Sequence, residues 1–169
     1  YKKGITQNKL KEFGTTKKSG TKVCFHPDEE IFNDIIFDYN IIAERLRELA
    51  YLNHGLEIVL KDERSGAPTS DTFKFKGGLS DFVKYLDEKN NPLHNKIVTV
   101  KKEDTAVPVD VALRYSNTYN DNILTFVNNI NTIEGGTHLS GFRSALTRSM
   151  NVYATKNNLI KSKKNEKLT

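Results

Sequence analysis

The sequence predicts an α+β fold in which three amphipathic helices alternate with short strands. Apolar residues recur at helical spacing in three segments, which begin near Asp38, Leu79 and Thr137. Between these segments, apolar and polar residues alternate over short stretches that glycine, proline or asparagine residues bound. A chain of 169 residues is long enough for one ordinary domain or for two small pieces of a larger one. Its 37% hydrophobic residues are enough to build a core and argue against general disorder.

The N-terminal quarter begins with a polar segment from Lys9 to Gly20, which is rich in lysine, threonine and glycine and predicts a loop. Thr21 to Phe25 alternates as a strand, which Pro27 ends. The first helix is predicted from Asp38, and Asn53-His54-Gly55 supplies its stop signal. Its apolar residues at helical spacing are Ile42, Leu46, Leu49 and Leu52.

A β-hairpin is predicted next, with arms from Glu57 to Asp62 and from Thr72 to Lys76 and a turn from Ser65 to Pro68. Gly77-Gly78 interrupts the pattern before a second helix, which ends at Asn90-Asn91-Pro92. The glycine pair is therefore the predicted boundary between two structural units, residues 1–76 and 77–160. The apolar positions of the second helix are Leu79, Phe82, Val83 and Leu86.

The rest of the chain predicts strands at Ile97 to Val100, Val107 to Tyr115 and Ile123 to Val127, followed by a long helix from about Thr137. The apolar stripe of this helix is Leu139, Phe142, Leu146, Met150 and Tyr153. We interpret Thr137 as the N-cap and Gly135-Gly136 as a tight entry to the helix. The alternative is a phosphate site on the backbone N–H groups at this helix start.

The net charge of +5 is modest, with 26 Lys and Arg residues against 21 Asp and Glu residues. The last nine residues form a predicted basic tail, 161–169, whose four lysines and one glutamate carry +3 of that charge, which leaves +2 on the rest. A dedicated nucleic-acid binder concentrates basic residues on one face, so bulk charge alone supports that function weakly. Arg143 and Arg148 point roughly 140° apart at about 100° per helical residue, so they do not form one clamp.

The residues alone indicate no catalytic or metal site, since the four histidines have no partners in a known ligand spacing. A single cysteine, Cys24, excludes an internal disulfide, and no apolar run reaches the length of a membrane span. These features predict a soluble cytoplasmic protein. The histidines are His26, His54, His94 and His138.

One long run of residues near the C-terminal end is much more specific than the features above. NNINTIEGGTHLSGFRSALTRSMNVYA, from Asn128 to Ala154, resembles the transducer segment of the ATPase subunits of bacterial type II topoisomerases, and GFRSALTR is closer to gyrase than to topoisomerase IV. The resemblance extends back to Tyr1 through VPVDVALRYSNTYNDNILTFVNNI, IIAERLRELAYLNHGLEI and GTKVCFHPDEEIF. It implies that residues 1–76 are the C-terminal part of a GHKL-type ATP-binding domain and that residues 77–160 begin a transducer domain like ribosomal protein S5 domain 2.

The resemblance also implies functional residues. It places Thr21 in an adenine pocket, with Gly20 and Val23 as its neighbours, and it turns Arg143 towards the cavity through which DNA passes. Arg148 is a second candidate for that electrostatic role.

The whole subunit of this family uses ATP and magnesium to drive DNA strand passage and negative supercoiling, together with a gyrase A subunit and a second B subunit. The motifs that carry the catalytic glutamate, the magnesium ligand and the ATP lid in that family are not in this sequence. We therefore expect the chain alone to bind no nucleotide tightly and to hydrolyse no ATP. The competing hypothesis is an S5-like module that binds nucleic acid without catalysis.

Overall fold

The computed structural model of the protein describes residues 1–24, 27–64 and 68–160. Residues 25 and 26, most of the predicted hairpin turn at 65–67 and the predicted basic tail at 161–169 lie outside the described residues. The chain divides into two compact units, Tyr1–Glu44 and Arg45–Thr169. In the described ranges, no helix has both the length and the apolar character that a membrane span needs.

The Tyr1–Glu44 unit is mostly irregular before its final helical residues. The backbones of Lys2 and Ile5 exchange two hydrogen bonds of 2.9 and 3.0 Å, and Lys3 Nζ lies 2.7 Å from Glu30 Oε1. The polar loop predicted at residues 9–20 is confirmed. The strand predicted from residue 21 is wrong over residues 21–24, which have no ladder partner among the described residues, and a strand needs such a partner to satisfy its backbone groups.

The first helix, α1, spans Tyr39–Leu52, as predicted. Asp38 is its N-cap, because Asp38 Oδ1 accepts hydrogen bonds from the backbone N–H groups of Asn40 at 2.8 Å and Ile41 at 3.2 Å. At the other end, the backbone N–H and the side-chain amide of Asn53 both donate to Leu49 O. Gly55 then takes a left-handed conformation with φ +80°. Local cap and stop signals therefore define this helix.

Strands β1, Ile58–Asp62, and β2, Thr69–Phe73, form the predicted hairpin, in which Ile58 pairs with Phe73 and Asp62 with Thr69. The prediction for the second arm was wrong by three residues. The ladder stops at Phe73 because β1 begins at Ile58 and offers no further partner. Lys74 continues the pairing only through its side chain, whose Nζ lies 2.8 Å from Glu57 Oε2.

The second helix, α2, spans Leu79–Leu86, and the prediction of this helix is confirmed. Gly78 precedes it at φ +56° and ψ −128°, a conformation that L side chains rarely adopt. Asp81, in the first turn, accepts a hydrogen bond of 2.8 Å from the backbone N–H of Gly77. A carboxylate at this place satisfies an N–H group just before the helix and complements the helix dipole.

The core of the Arg45–Thr169 unit is an aromatic cluster between α1, the segment after β2, and α2. The Tyr51 ring stacks on Phe75, with centroids 3.7 Å apart and an interplanar angle of 18°, and on Phe82, at 4.9 Å and 10°. Tyr51, Phe73 and Phe82 are buried. Burial raises the pKa of the Tyr51 phenol, and nearby Arg47 partly opposes this change.

After α2, strands β3, Val98–Lys102, and β4, Val109–Leu113, form an antiparallel pair in which Val98 pairs with Leu113. β4 lies within its predicted segment, whereas β3 continues two residues past the predicted end at Val100. Asp87, directly after α2, is buried and forms an ion pair with Arg114, where Nε lies 2.6 Å from Asp87 Oδ2. His94 Nε2 accepts a hydrogen bond of 3.1 Å from the backbone N–H of Tyr115. Two polar contacts therefore attach the segment after α2 to the end of β4.

The final part contains β5, Phe126–Val127, β6, Ile130–Asn131, and the helix α3, Thr137–Lys156. The prediction of a strand ending at Val127 is confirmed in its last two residues, but β6 was not predicted. The N-cap of α3 is Gly136, at φ +147° and ψ −178°, and no side chain caps the helix. The interpretation of Thr137 as N-cap was therefore wrong, because Thr137 already lies inside the helix.

The predicted apolar stripe of α3 holds only in its first half. Leu139, Phe142 and Leu146 are partly buried, whereas Tyr153 is 62% exposed. Ala154 is the buried residue of the last turns instead. The buried position near the C-terminal end of α3 is therefore one residue later than predicted. The predicted stripe repeats about every 3.5 residues, whereas the helix has 3.6 residues per turn, so the two separate over several turns.

Candidate functional site

The three residues predicted to bind nucleotide lie together in the Tyr1–Glu44 unit. Gly20, Thr21 and Val23 belong to an extended segment without regular secondary structure, and all three are exposed. Val23 is 78% exposed. The Thr21 hydroxyl can donate one hydrogen bond and accept others, so it can recognise a polar edge of a base, while Val23 offers an apolar contact.

The two arginines predicted to face DNA lie on α3, in the other unit. Arg143 Nη2 is 3.7 Å from Asp121 Oδ2, and the two side chains are 57% and 76% exposed. An ion pair this open to solvent contributes little and is screened by salt, so a phosphate can displace the carboxylate. Arg148 is exposed farther along the same helix. The structure therefore leaves both guanidinium groups accessible to an anion.

No acid or base group in the described residues has the buried, perturbed character of a catalytic pair. The clearest shift among the carboxyl groups is that of Asp62, where hydrogen bonds from the side chain and the backbone of Arg64 lower the pKa to about 2. These bonds are local, since Arg64 Nη2 lies 2.6 Å from Asp62 Oδ2 and the backbone N–H of Arg64 donates to Asp62 Oδ1 in a turn at the end of β1. The shift therefore reflects the geometry of this turn and does not identify an active site.

Two polar groupings that the sequence did not reveal connect distant segments. One is the buried pair of Asp87 and Arg114, which are 27 residues apart. The other lies at the β5–β6 turn, where Asn129 O accepts a hydrogen bond of 2.7 Å from Arg45 Nη2 and Asn129 Nδ2 donates one of 3.1 Å to Asn53 Oδ1. The pair Asn128-Asn129 was a usable signal for this turn, since asparagine is favoured where both central residues of a hairpin turn have positive φ.

Comparison with known proteins identifies the family. The model of the DNA gyrase B family matches residues 78–169. The DNA gyrase B protein of Staphylococcus epidermidis is 42% identical over 165 residues, which cover 97% of this chain and 26% of that protein. The DNA gyrase B protein of Cytophaga aurantiaca is 44% identical over 170 residues, which cover 98% of this chain and 36% of that protein.

A solved structure supports the same relationship. The crystal structure of the 43K ATPase domain of Thermus thermophilus gyrase B, in complex with an aminocoumarin, superposes with a TM-score of 0.70 at 42% sequence identity. The match covers 81% of this chain and 37% of that structure. This α+β fold therefore corresponds to part of the gyrase B 43K region, and the chain spans 26% to 36% of the length of the two relatives above. The chain belongs to the DNA gyrase B family.

Proposed function

We propose that this chain is the part of a gyrase B protein in which the ATP-binding domain continues into the transducer domain. In this proposal residues 1–76 complete a GHKL-type domain, residues 77–160 begin an S5-like transducer and residues 161–169 form a basic tail. The start of the family match at Gly78, directly after the proposed boundary, supports this division. The observation that carries the proposal is an identity of 42% to 44% with gyrase B proteins over nearly the whole chain.

The proposed activity belongs to the whole subunit, which uses ATP and magnesium to drive DNA strand passage and negative supercoiling in the cytoplasm. Its partners are DNA, the gyrase A subunit and a second copy of gyrase B. The chain contributes a small part of the nucleotide pocket and the beginning of the element that transmits nucleotide state. It supplies no catalytic group and is inactive alone.

Thr21 is the proposed nucleotide contact, with Gly20 and Val23 beside it. The aminocoumarin in the Thermus thermophilus relative supports a small-molecule site on the corresponding ATPase domain. In this chain the Thr21 side chain is exposed and its hydroxyl is available to a ligand. Gly20 adds no side chain that would keep a planar ring from the backbone.

In the full-length subunit, Thr21→Ala should weaken nucleotide or coumarin binding by about 1 kcal/mol, roughly fivefold, because one net hydrogen bond is lost. Titration calorimetry with a non-hydrolysable ATP analogue measures this change. Thr15→Ala is the matched control, since Thr15 is an exposed threonine of the preceding polar loop. Equal affinities for wild type and Thr21→Ala would contradict the assignment of Thr21 to the adenine pocket.

Arg143 is the proposed DNA contact of the transducer, and Arg148 is a second one. Arg143 fits this role because its guanidinium is exposed and its only ion-pair partner in the described residues, Asp121, is more exposed still. Phosphate groups bind guanidinium groups through two parallel hydrogen bonds, which Asp121 does not form at 3.7 Å. Replacement of the long contact with Asp121 by a phosphate group that forms two hydrogen bonds with Arg143 therefore favours DNA binding.

Arg143→Gln in the full-length subunit should reduce DNA-stimulated ATPase activity and supercoiling more than basal ATP binding. Loss of one phosphate contact should also lower the slope of log affinity against log salt by about 1. Steady-state ATPase assays with and without linear DNA, at several salt concentrations, measure both effects. Arg148→Gln should show a smaller loss, and an equal fall of basal and DNA-stimulated rates with Arg143→Gln would instead indicate a misfolded α3.

The alternative, a nucleic-acid-binding module without catalysis, is favoured by the four lysines in the last nine residues. It differs from the gyrase proposal in what the 169-residue chain does without partners. Tight binding of short DNA duplexes by this chain, with a steep salt dependence, would favour the module. Weak binding by the chain, with DNA-stimulated ATPase activity in the full-length subunit, would favour the gyrase proposal.

A further inference from the structure

The turn between β5 and β6 is a short hairpin tip built from two asparagines. Asn128 and Asn129 have φ values of +50° and +66°, as a two-residue turn of type I′ requires. The strands on each side contain only two residues each, so their ladder alone holds the hairpin weakly. The hairpin therefore depends on contacts outside its ladder for a defined position.

Helix α1 supplies such contacts from two places about two turns apart. Arg45 Nη2 donates to Asn129 O at 2.7 Å, and the Arg45 guanidinium is also paired with the Glu48 carboxylate on the same helix. Directly after the helix, Asn53 Oδ1 accepts the hydrogen bond from Asn129 Nδ2 at 3.1 Å, while Asn53 Nδ2 donates to Leu49 O. Both groups that hold the tip are thus fixed by a second partner on α1.

From the tip, a series of hydroxyl contacts leads to the start of α3. The hydroxyl oxygens of Thr125 and Thr132 lie 2.6 Å apart, and each lies within hydrogen-bond distance of the backbone carbonyl of the other residue, at 3.0 and 3.1 Å. Thr132 Oγ1 lies 3.4 Å from His138 Nε2, in the first turn of α3. The helix that carries Arg143 therefore begins directly beside a hairpin whose far end is attached to α1.

We propose that Asn129 is a positioning residue for the DNA response, through which α1 sets the position of the hairpin and thereby of the first turn of α3. The proposal rests on the proposed function of Arg143. It also crosses the proposed domain boundary, since Arg45 and Asn53 lie in residues 1–76 and Asn129 lies in residues 77–160. Asn129 is held at two points, its carbonyl oxygen and its side-chain amide. A displacement of α1 therefore displaces the hairpin with it.

Asn129→Gly in the full-length subunit is the direct test, because glycine keeps the left-handed backbone and the carbonyl acceptor and removes only the side-chain amide. Loss of one net hydrogen bond corresponds to about a 2- to 12-fold change, which we expect in the stimulation of ATPase activity by DNA. The basal rate and the KM for ATP should stay within about twofold. Asn128→Gly is the matched control, since Asn128 is the same residue type in the same turn and the described hydrogen bonds to α1 involve only its neighbour.

A double-mutant cycle separates this role from general destabilisation. Asn53→Ala combined with Asn129→Gly should reduce DNA stimulation no further than the larger single change, because both remove the same contact. Arg45→Lys should retain more DNA stimulation than Arg45→Met, since lysine keeps a charged donor for Asn129 O. Additive losses, or an equal loss with Asn128→Gly, would overturn the proposal.

The outcomes also distinguish this proposal from the proposed DNA contact of Arg143, on which it rests. If Arg143→Gln reduces DNA stimulation and Asn129→Gly does not, the positioning role of Asn129 is wrong and the DNA contact of Arg143 stands. If Arg143→Gln has no effect while Asn129→Gly reduces stimulation, α1 acts on DNA through another residue of α3 and the proposed role of Arg143 is wrong. If the wild-type subunit shows no DNA stimulation, both proposals fail.

Discussion

Asp87→Ala is expected to destabilise the Arg45–Thr169 unit by about 3–5 kcal/mol, because it leaves the Arg114 guanidinium buried without its counter-ion. The two side chains are 10% and 12% exposed, and Arg114 Nε lies 2.6 Å from Asp87 Oδ2. The pair joins the end of α2 to the residue directly after β4. Hydrogen exchange at the amides of β3 and β4 in the full-length subunit measures the free energy of local opening and reports this loss directly.

Two controls test whether the loss of stability comes from the burial of the ion pair or only from the removal of a charge. Glu103→Ala breaks a surface pair with the same separation, 2.6 Å to Lys101 Nζ, but with side chains 59% and 67% exposed, and should change exchange little. Asp87→Ala with Arg114→Met removes both charges and should cost less than Asp87→Ala alone. Exchange in β4 that is the same for Asp87→Ala and Glu103→Ala would show that the Asp87 pair contributes no more than a surface contact.

Phe82→Ala is the second change with a large expected effect, a loss of about 3–5 kcal/mol from the same unit. Phe82 is 7% exposed and stacks on Tyr51 of α1, and its ring lies 6.4 Å from that of Phe126 in β5. Its removal leaves a cavity where α1, α2 and β5 meet. Because burial raises the pKa of the Tyr51 phenol, the same change should also move that pKa back towards its usual value.

The measurement combines hydrogen exchange in α1 and α2 with a spectroscopic titration of the tyrosines. Tyr85→Ala is the matched control, since Tyr85 lies on the same helix, contacts Tyr51 at 5.8 Å and is 41% exposed. It should cost clearly less than Phe82→Ala, because less apolar surface leaves the core. Equal losses from the two substitutions would mean that the Tyr51 cluster is not the core of this unit.

The sequence predicted those elements whose signals are local. For α1, the predicted start at Asp38 and the predicted stop at Asn53-His54-Gly55 lie next to the helix they define, and the structure confirms both. The second arm of the β1–β2 hairpin was misplaced because its ends depend on where β1 begins, which is a property of the partner strand. The β5–β6 hairpin was missed because two-residue strands carry too little alternation to stand out. Helix ends with local signals were therefore predictable, whereas the pairing registers of the strands were not.

The same distinction applies to the candidate site. The resemblance of Asn128 to Ala154 to gyrase segments led to the family, which the comparisons confirm. The roles of Thr21 and Arg143 remain predictions, because a pocket or a DNA cavity is formed by side chains far apart in sequence. The pairs Asp87–Arg114 and Arg45–Asn129 show the difficulty, since they join residues 27 and 84 positions apart and no spacing rule indicates them.

The central proposal is that this chain belongs to a protein that couples ATP to DNA strand passage as a gyrase does. The most direct test incubates the full-length protein containing this chain with its gyrase A subunit, relaxed circular DNA, magnesium and ATP, and resolves the topoisomers by electrophoresis. We expect ATP-dependent introduction of negative supercoils. Relaxation or decatenation without supercoiling, or no strand passage with ATP present, would contradict the proposal.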